Sequence, residues 1–479
     1  KGCDGDGRLF FDGSSGIFIN GRAVAMGKQF SLEDVEVVTA TLDIEEVRSF
    51  RSSVSRNSQA SREEPYRRID AGMSLSCGDY NIGSNAKLSD EIKVKFYSPE
   101  EEIALGAGTF LWDYLRRCGG GFSNGIAGYF LPLSGGLDSC STALITFSMC
   151  RIVMEAVQAG NKQVIKDLRR IVGVSEDSEW LPSDSKDISG RIFHTCFMGT
   201  VNSSKETRQR AKKLAEALGT YHLDINIDTV VTAVTSLFNV VTLFSPQYTV
   251  HGGTIAENNA LQNIQARLRM VLAYLFAQLL PMVRKRNGGG CLLVLGSGNL
   301  SEQLRGYYTK YDNSSADINP IGGIDKADLK LFVKWAQTNF SIPMLDDFLT
   351  ATPTAELEPI TEDYVQTDES QMGFTYAELG VMGRLRKISK CGPWGMYEKL
   401  LHIWSDSYTP LDIYEKTRNF FYFYSINRHK QVTLTPALHS ENYGCDDNRF
   451  DLRPILYPVF SWPFQKMEAH SKKLMERKM

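Results

Sequence analysis

The chain has 479 residues, a length that accommodates about three domains of ~150 residues each, and 42% of its residues are hydrophobic and 23% charged, as in ordinary soluble globular proteins. The 53 Lys and Arg residues and 56 Asp and Glu residues give a net charge of −3. The chain therefore lacks the basic excess of nucleic-acid-binding proteins, and we expect no nucleic acid partner. An aromatic content of 11% with so small a net charge excludes a disordered chain.

The cysteines and the apolar runs indicate in which cellular compartment the protein is expected. The nine cysteines are scattered, and no two of them have Cys-x-x-Cys spacing. This pattern indicates reduced thiols and predicts neither a disulfide framework nor a zinc site. The longest apolar run of helical appearance, Val271–Val283, is too short to span a bilayer, and no signal peptide opens the chain. We therefore expect a cytoplasmic protein with no membrane partner.

The first 50 residues are predicted to form β structure. Leu9–Phe11 and Gly16–Asn20 are short apolar runs, and Val35–Asp43 is a further strand candidate. Asp12-Gly13 and Asn20-Gly21 are typical of hairpin turns. The block is too short for a stable domain and begins in what resembles the middle of a sheet, without a methionine. We expect it to be the end of a longer N-terminal domain.

Residues 51–98 are a predicted connector, and helices and strands alternate from residue 99 onward. The predicted strands are Gly128–Leu133, Arg191–Met198, Thr220–Ile225 and Cys291–Leu295. The predicted helices are Glu100–Arg117, Ser139–Ala159, Lys205–Leu218 and Asn258–Val283. This alternation predicts an α/β fold with a doubly wound parallel sheet, whose ligands bind at the carboxyl ends of the strands.

Two further segments stand outside this alternation. Residues 161–190 contain a polar stretch that predicts a surface loop. The aromatic cluster Phe420–Tyr424 is predicted to lie on an amphipathic helix packed against the core or another subunit.

The sequence Pro132-Leu-Ser-Gly-Gly-Leu-Asp-Ser139 carries the strongest chemical signal. It follows an apolar strand and opens a helix, whose free N–H groups suit a phosphate. Its two glycines let the backbone approach a ligand closely, and its two serines offer hydroxyl groups. Asp138 would repel a bare phosphate, so its presence suggests a bridging Mg²⁺. The segment is not a Walker A loop, because no lysine follows Gly136.

A second loop is expected at the same edge of the sheet. Another predicted strand leads into Gly296-Ser-Gly-Asn-Leu-Ser-Glu302. Glu302 would then meet Asp138 across a metal ion, since two carboxylates, phosphate oxygens and waters satisfy Mg²⁺.

These motifs resemble a known family. The Ser134–Ser139 loop is similar to that of the N-type ATP pyrophosphatases, and Gly296–Glu302, Tyr307–Lys326 and Gln366–Leu379 resemble the NAD synthetase family. The opening KGCDGDG, the RHK at 428–430 and the segment 435–454 resemble its glutamine-dependent eukaryotic form. The resemblance covers nearly the whole chain. It implies an adenine-nucleotide alpha-hydrolase-like domain over residues 99–479, preceded over residues 1–50 by the tail of a nitrilase-like α/β sandwich.

The resemblance also implies site residues. The residues implied to bind ATP are Pro132, Leu133, Ser134, Gly135, Gly136, Leu137, Asp138, Ser139, Ser297, Lys326 and Thr354. Ser134, Asp138 and Lys326 would be the catalytic set, with Ser134 binding phosphate rather than acting as a nucleophile. Asp138 and Glu302 would hold Mg²⁺. The residues implied to contact deamido-NAD are Arg267, Lys310, Asp317, His429 and Lys430. Asp312 and Asn313 are not assigned, because short relatives read Gly-Asp there.

The reaction implied by the resemblance is the amidation of deamido-NAD. The nicotinate carboxylate attacks the α-phosphate of ATP, giving an acyl-adenylate and pyrophosphate, and ammonia then gives NAD and AMP. A nitrilase-like glutaminase would supply ammonia from glutamine. We do not assign Cys3 as its nucleophile, because Cys3 follows the point where the family has that cysteine. The family also implies a homo-oligomer.

Two alternatives remain at this stage. Other ATP pyrophosphatases share the loop, although those that modify tRNA often carry basic surfaces or paired cysteines, which this chain lacks. A non-catalytic nucleotide-binding subunit would be expected to lose Asp138, Glu302 or Lys326, and all three are present.

Overall fold

The computed structural model describes most of the chain. The described residues are 3–4, 7–11, 13–52, 58, 60–67, 69–72, 87–118, 125–351, 356–359, 368–440, 443–445 and 461–478. By its contacts the chain divides into two compact units, one of Lys1–Gly2 with Phe11–Tyr97 and one of Cys3–Phe10 with Ser98–Met479.

The regular elements are numbered in chain order. The strands are β1 (Cys3–Asp4), β2 (Leu9–Phe10), β3 (Gly16–Ile19), β4 (Arg22–Met26), β5 (Ile126–Pro132), β6 (Phe193–Gly199), β7 (Tyr221–Asn226) and β8 (Cys291–Val294). The helices are α1 (Ile44–Ser52), α2 (Pro99–Arg117), α3 (Leu137–Gln158), α4 (Lys162–Val172), α5 (Ser185–Ile192), α6 (Lys205–Leu218), α7 (Asp228–Thr242), α8 (Ile255–Val283), α9 (Leu300–Arg305), α10 (Lys326–Asn339), α11 (Asp346–Leu349), α12 (Asp368–Met372), α13 (Tyr376–Lys387), α14 (Pro393–Ile403), α15 (Pro410–Ile426) and α16 (Ser461–Lys478).

The smaller unit contains the antiparallel hairpin of β3 and β4. Ile19 pairs with Arg22, and Asn20 and Gly21 have φ angles of 49° and 82°. Two consecutive left-handed residues are what a two-residue hairpin turn of this twist requires, so the predicted Asn20-Gly21 turn is confirmed. The other predicted turn includes Asp12, which lies outside the described residues.

The predicted strand Val35–Asp43 is wrong. The segment is irregular, and Val35 and Val37 are 77% and 80% exposed. An extended segment becomes a strand only when its backbone groups pair with a neighbour, and none of the described residues supplies that ladder. The chain instead forms α1, which composition did not suggest.

The larger unit is built on a four-stranded parallel sheet in the order β7-β6-β5-β8. Strand β6 pairs with β7 along its whole length and with β5 from Tyr129 to Pro132. The predicted α/β fold is confirmed, and all four predicted strands are present with boundaries shifted by a few residues.

Helices cover both faces of this sheet. Tyr129 directs its hydroxyl to the carbonyl oxygen of Leu111 in α2, at 2.7 Å. The next residue, Phe130, stacks on Phe276 of α8 with ring centroids 6.4 Å apart. Because successive strand residues point to opposite faces, α2 and α8 lie on opposite sides of β5, as a doubly wound sheet requires.

The predicted surface loop over residues 161–190 is wrong for part of its length. Helix α4 buries Val164, Leu168 and Ile171, which recur at the spacing of one helix face. It ends at Gly173, whose φ of 83° is the left-handed conformation common after a helix.

The aromatic cluster near the end of the chain lies on α15, as predicted. Phe420, Phe421 and Tyr424 are buried there, and they pack with α13 and α14 in a second hydrophobic core.

Two helices, α3 and α8, are long and apolar enough to cross a bilayer by length and composition. Buried residues make up 78% of the most apolar window of α3 and 33% of that of α8. The apolar run Val271–Val283 forms the second half of α8, close to the long helix predicted over Asn258–Val283.

Candidate active site

The loop between β5 and α3 turns sharply beneath helix α6. Gly135 has a φ of 81°, and a Cβ at this position would lie 2.2 Å from the carbonyl oxygen of Thr207. Only glycine fits such an approach. Arg210 of α6 donates a hydrogen bond to the Gly135 carbonyl oxygen at 3.1 Å, so α6 holds the loop in place.

The two serines of the loop face each other across its turn. Ser134 Oγ lies 3.0 Å from Ser139 Oγ and accepts a hydrogen bond from the Gly136 backbone N–H at 3.3 Å. Ser134 is exposed, whereas Leu133 and Leu137 are buried. The two leucines therefore anchor the loop in the core, and the loop offers a ligand its hydroxyls and backbone.

Three residues that are distant in sequence meet beside this loop. The ammonium group of Lys326 contacts Asp138 directly and lies 3.5 Å from Glu302 Oε1. The Lys326 side chain is only 2% exposed. Asn299 donates a hydrogen bond to Asp138 Oδ1 at 3.1 Å, which fixes the carboxylate. The structure thus brings together Asp138, Glu302 and Lys326, as the sequence analysis expected.

Two further members of this cluster were missed from the sequence. Tyr376 Oη donates to Glu302 at 3.0 Å and lies 3.3 Å from Asp368 Oδ2. Both residues belong to the segment Gln366–Leu379, whose resemblance to the family was noted without assigning a role to any residue. The resemblance of this segment was therefore the feature of the sequence from which Asp368 and Tyr376 could have been predicted.

The cluster holds more carboxylates than cations. Burial lowers the pKa of Lys326, but the carboxylates of Asp138 and Glu302 together outweigh this and raise it. Burial raises the pKa of Glu302 to about 8, and the neighbouring Asp138 adds to the rise. Burial likewise raises the pKa of Asp368, against the effect of Lys326. The excess negative charge suits a cation in addition to Lys326.

A cavity opens beside the loop at the carboxyl ends of β5 and β6. Its charged lining comes from Arg210, Arg269, Lys330 and Glu356, none of which the sequence analysis singled out. Arg269 donates to the carbonyl oxygen of Met198 at 3.1 Å, and burial lowers its pKa to about 10. These residues carry no motif of their own, so only the folded chain reveals that three cations line this cavity.

Ser297 is held by a residue that the sequence analysis left unassigned. Its backbone N–H and its Oγ both donate to Asn313 Oδ1, at 2.7 and 2.8 Å. Asn313 in turn donates to the Leu295 carbonyl oxygen at 3.0 Å. Asn313 therefore orients the Ser297 hydroxyl. Thr354, the remaining ATP residue implied by the resemblance, lies outside the described residues.

Of the five residues expected to contact deamido-NAD, the structure brings some together and leaves others apart. Arg267 Nε donates to the carbonyl oxygen of Lys310 at 3.0 Å. Asp317 accepts from the Val294 backbone N–H at 2.7 Å, which ties it to β8, and burial raises its pKa. Arg267 lines an open groove with Tyr274 and Tyr311.

His429 and Lys430 differ in their surroundings. Lys430 donates to the carbonyl oxygens of Gly306 and Tyr308, at 2.9 and 2.8 Å, and burial, assisted by Arg305, lowers its pKa to about 8. His429 is exposed, and its Nδ1 lies 2.9 Å from the Ile426 carbonyl oxygen. Lys430 thus fixes the backbone just before Lys310, whereas the hydrogen bond of His429 goes to Ile426, the last residue of α15.

No set of three His, Cys, Asp or Glu side chains in the described part of the chain converges as a metal site. Asp138 and Glu302 would therefore supply two protein ligands at most. Carboxylate oxygens beside a phosphate-binding loop are the donors that Mg²⁺ uses, with phosphate and water completing the shell, so the donor set fits this ion.

Comparison with known proteins agrees with this geometry. The family model for NAD synthase matches residues 109–387. The chain is 57% identical over 471 residues to the glutamine-dependent NAD(+) synthetase of Saccharomyces cerevisiae, covering 98% of this chain and 65% of that protein. It is 53% identical over 467 residues to the Homo sapiens protein of that name, covering 97% of this chain and 64% of the relative. The chain thus spans less than two thirds of the length of these relatives.

A solved structure supports the fold. The glutamine-dependent NAD(+) synthetase from Cytophaga hutchinsonii superposes with a TM-score of 0.58 at 23% identity, over 78% of this chain and 56% of that one. The family model spans more than half of the sequence, including the loop, Glu302 and Lys326. This chain belongs to the NAD synthase family.

Proposed function

We propose that the chain catalyses the ATP-dependent amidation of deamido-NAD to NAD, with release of AMP and pyrophosphate. The observation that carries this proposal is the buried contact of Lys326 with Asp138 and Glu302 beside the glycine turn at the carboxyl end of β5. Membership of the NAD synthase family supports the same assignment.

In this proposal the loop residues Pro132–Ser139 bind the ATP phosphates. The hydroxyls of Ser134 and Ser139 and the free N–H groups at the start of α3 are hydrogen-bond donors for phosphate oxygens. Lys326 offsets the charge that develops when the nicotinate carboxylate attacks the α-phosphate. No side chain needs to act as a nucleophile, because alignment and charge neutralisation suffice.

Asp138 and Glu302 would hold Mg²⁺, which when bound neutralises phosphate charge and orients the leaving pyrophosphate. The three cations of the adjoining cavity, Arg210, Arg269 and Lys330, are suited to the rest of the nucleotide and to the adenylate. Of these, Arg210 also positions the loop through Gly135.

We assign deamido-NAD to the groove that contains Arg267, with Lys310 and Asp317 at its side. Lys430 acts in this assignment as a positioning residue, because both hydrogen bonds of its ammonium group go to the loop that leads to Lys310. His429 is exposed and available to a ligand.

The acyl-adenylate requires a nitrogen nucleophile. Ammonia attacks its carbonyl carbon, and AMP leaves. We propose that glutamine hydrolysis supplies this ammonia in the intact protein, and that residues 1–50 belong to the nitrilase-like domain responsible. The sequence relatives named glutamine-dependent NAD(+) synthetase support this.

We also propose that the chain forms a homo-oligomer through the outer face of α7 and α8. Helix α7 has no buried residue, and Leu237, Val240 and Val241 are exposed on it. Val271 and Met282 extend this apolar surface along α8. Several large apolar side chains exposed on two neighbouring helices are typical of an interface.

Oligomerisation is tested by sedimentation velocity. Val241→Glu should shift the chain toward the monomer, because it places a charge within the apolar face. Ile403→Glu, which changes an exposed residue elsewhere, should leave the distribution as in wild type. Equal distributions for Val241→Glu and wild type would argue against this interface.

The catalytic proposal is tested by incubating the purified chain with ATP, Mg²⁺, deamido-NAD and either ammonia or glutamine, and measuring NAD and AMP. We expect NAD and AMP in equal amounts with ammonia, and loss of both in Asp138→Asn. A folded chain that binds ATP but forms no NAD with ammonia would point to a different acceptor. Activity with glutamine would mean that this chain contains a glutaminase nucleophile, and Cys3 would be the first candidate.

A further inference from the structure

A second cavity lies at the opposite edge of the sheet. Its lining comes from the starts of two strands, Ala127 and His194, from Val172–Val174 after α4, and from the segment that follows α8. The nucleotide loop follows the other end of β5, a strand of seven residues, so about 20 Å of strand separates the two places. This cavity therefore takes no part in the amidation site.

Four basic residues line this cavity, Arg191, Arg284, Lys285 and Arg286, and no acidic side chain is among its described lining. The guanidinium group of Arg286 is already engaged, because it donates hydrogen bonds to the backbone carbonyl oxygens of Arg170, Ile171 and Gly289. It joins the end of α4 to the loop after α8. The remaining three cations are the ones available to a ligand.

Arg191 and Arg284 each have unused donors. Arg191 Nε donates to Asp187 at 2.7 Å, and its terminal nitrogens bond to none of the described residues. Arg284 Nη1 lies 2.8 Å from His194 Nε2, and its guanidinium packs 4.1 Å from the centroid of the Tyr221 ring. The Nε and Nη2 groups of Arg284 likewise bond to no residue in the described ranges.

His194 holds Arg284 in place. It is 2% exposed, and its Nδ1 makes no hydrogen bond to any described atom. An arginine is always a donor, so Nε2 accepts from Arg284 and the proton of the neutral ring is on Nδ1. Burial first, and Arg284 second, lower the pKa of His194 to about 3.

The two guanidinium groups repel each other. Burial lowers the pKa of Arg284, and the nearby charge of Arg191 lowers it further. The cavity encloses about 230 Å³, against about 10–15 Å³ for a single water by the same measure. It therefore has room for an ion of several heavy atoms.

We propose that this cavity binds a phosphate-type oxyanion between Arg191 and Arg284, with Lys285 at its rim. Planar guanidinium groups match two oxygens of a phosphate at once, and the anion would remove the repulsion between them. The ligand is either free phosphate or pyrophosphate, or the phosphoryl group of a nucleotide. The site is independent of the proposed amidation, and its test reads binding rather than activity.

The test is calorimetric titration of the purified chain with inorganic phosphate, pyrophosphate and AMP at constant ionic strength set with chloride. Arg191→Gln and Arg284→Gln should each weaken phosphate binding about tenfold or more, as expected for charge-assisted hydrogen bonds. Lys285→Gln, at an exposed position that the fold does not depend on, should weaken it less. Lys213→Gln, an equal change of charge on the exposed face of α6, is the matched control and should bind as wild type.

Gly135→Ala separates this site from the nucleotide loop. Phosphate binding that persists in Gly135→Ala and is lost in Arg284→Gln supports the proposal. If Arg284→Gln loses AMP binding as well, the phosphoryl group of a nucleotide is the ligand. Binding that is unchanged in both arginine variants would overturn the proposal, as would equal weakening by Lys213→Gln. Binding of an acidic peptide in place of every phosphate compound would also overturn it and assign the cavity to a protein partner.

Discussion

The two edges of the parallel sheet handle buried charge in opposite ways. At the carboxyl edge, Lys326 is enclosed and contacts Asp138, with Glu302 3.5 Å away. At the amino edge, Arg191 and Arg284 face a cavity whose described lining contains no acidic side chain. A fully enclosed charge must be paired within the protein, because desolvation costs several kcal/mol per ion. The half-exposed Arg191 and Arg284 remain in contact with solvent, and Arg191 is also paired with Asp187, so the repulsion between them costs less than it would in a fully enclosed site.

The largest effect should come from breaking the ion cluster at the carboxyl edge. Lys326→Met leaves Asp138, Glu302 and Asp368 buried without their cation, so we expect a loss of about 3–5 kcal/mol in the free energy of unfolding and no amidation. Urea unfolding and the NAD assay measure the two effects. Lys334→Gln, which removes an exposed charge from the same helix, is the control. Equal stability of Lys326→Met and wild type would show that the cluster does not depend on this ion pair.

The next effect concerns the turn that sets the loop beside this cluster. Gly135→Ala places a Cβ 2.2 Å from the Thr207 carbonyl oxygen at a φ of 81°, so the backbone must shift. We expect about 1–3 kcal/mol of destabilisation and weaker ATP binding. At Gly136, φ is −92° and the nearest atom to a Cβ is Ser134 Oγ at 3.5 Å. Gly136→Ala should therefore fold with wild-type stability, and an equal loss in both variants would contradict this account.

A pH-dependent effect, spread over several pH units, distinguishes the two edges by its sign. Glu302 has a pKa of about 8 in the fold, against an ordinary value of 4.5. The folded state therefore binds more protons between these values, and the contribution of Glu302 to the free energy of unfolding falls as pH rises from 4.5 to 8. Unfolding of the metal-free chain at several pH values should show this trend in wild type and lose it in Glu302→Gln. Parallel pH curves for the two proteins would contradict it.

The opposite trend is expected at the amino edge. The pKa of His194 is about 3 in the fold, against an ordinary value of 6.5. The unfolded chain binds the extra proton between these values, so the contribution of His194 to stability is lost as pH falls from 6.5 to 3. In His194→Gln, where the amide oxygen still accepts from Arg284, this loss should disappear. A wild-type curve that keeps the same acid slope as His194→Gln would show that His194 is not the group responsible.

The sequence predicted local structure correctly where a few adjacent residues determine the backbone conformation by themselves. The strand, turn and helix start over Pro132–Ser139 were predicted correctly because glycine fixes the turn through neighbouring peptide units, and the Asn20-Gly21 turn because its two residues take the left-handed conformation. The strand predicted over Val35–Asp43 failed because a strand depends on a partner that local pattern does not supply. The helix α4 was missed because the polar residues after it dominated the composition of its segment.

The same difference between local and tertiary information applies to the candidate site. The residue types and the sheet pattern of this chain predicted the α/β fold and the approach of Glu302 to Asp138, and resemblance added Lys326. Only the tertiary structure decided that Asp368 and Tyr376 join their cluster, that Arg210 and Arg269 line the cavity beside the loop, and that Arg191 and Arg284 line one cavity. The physical reason is that a loop is shaped by neighbouring peptide units, whereas a charge acquires its partners and its pKa from residues that the fold alone brings within a few ångströms.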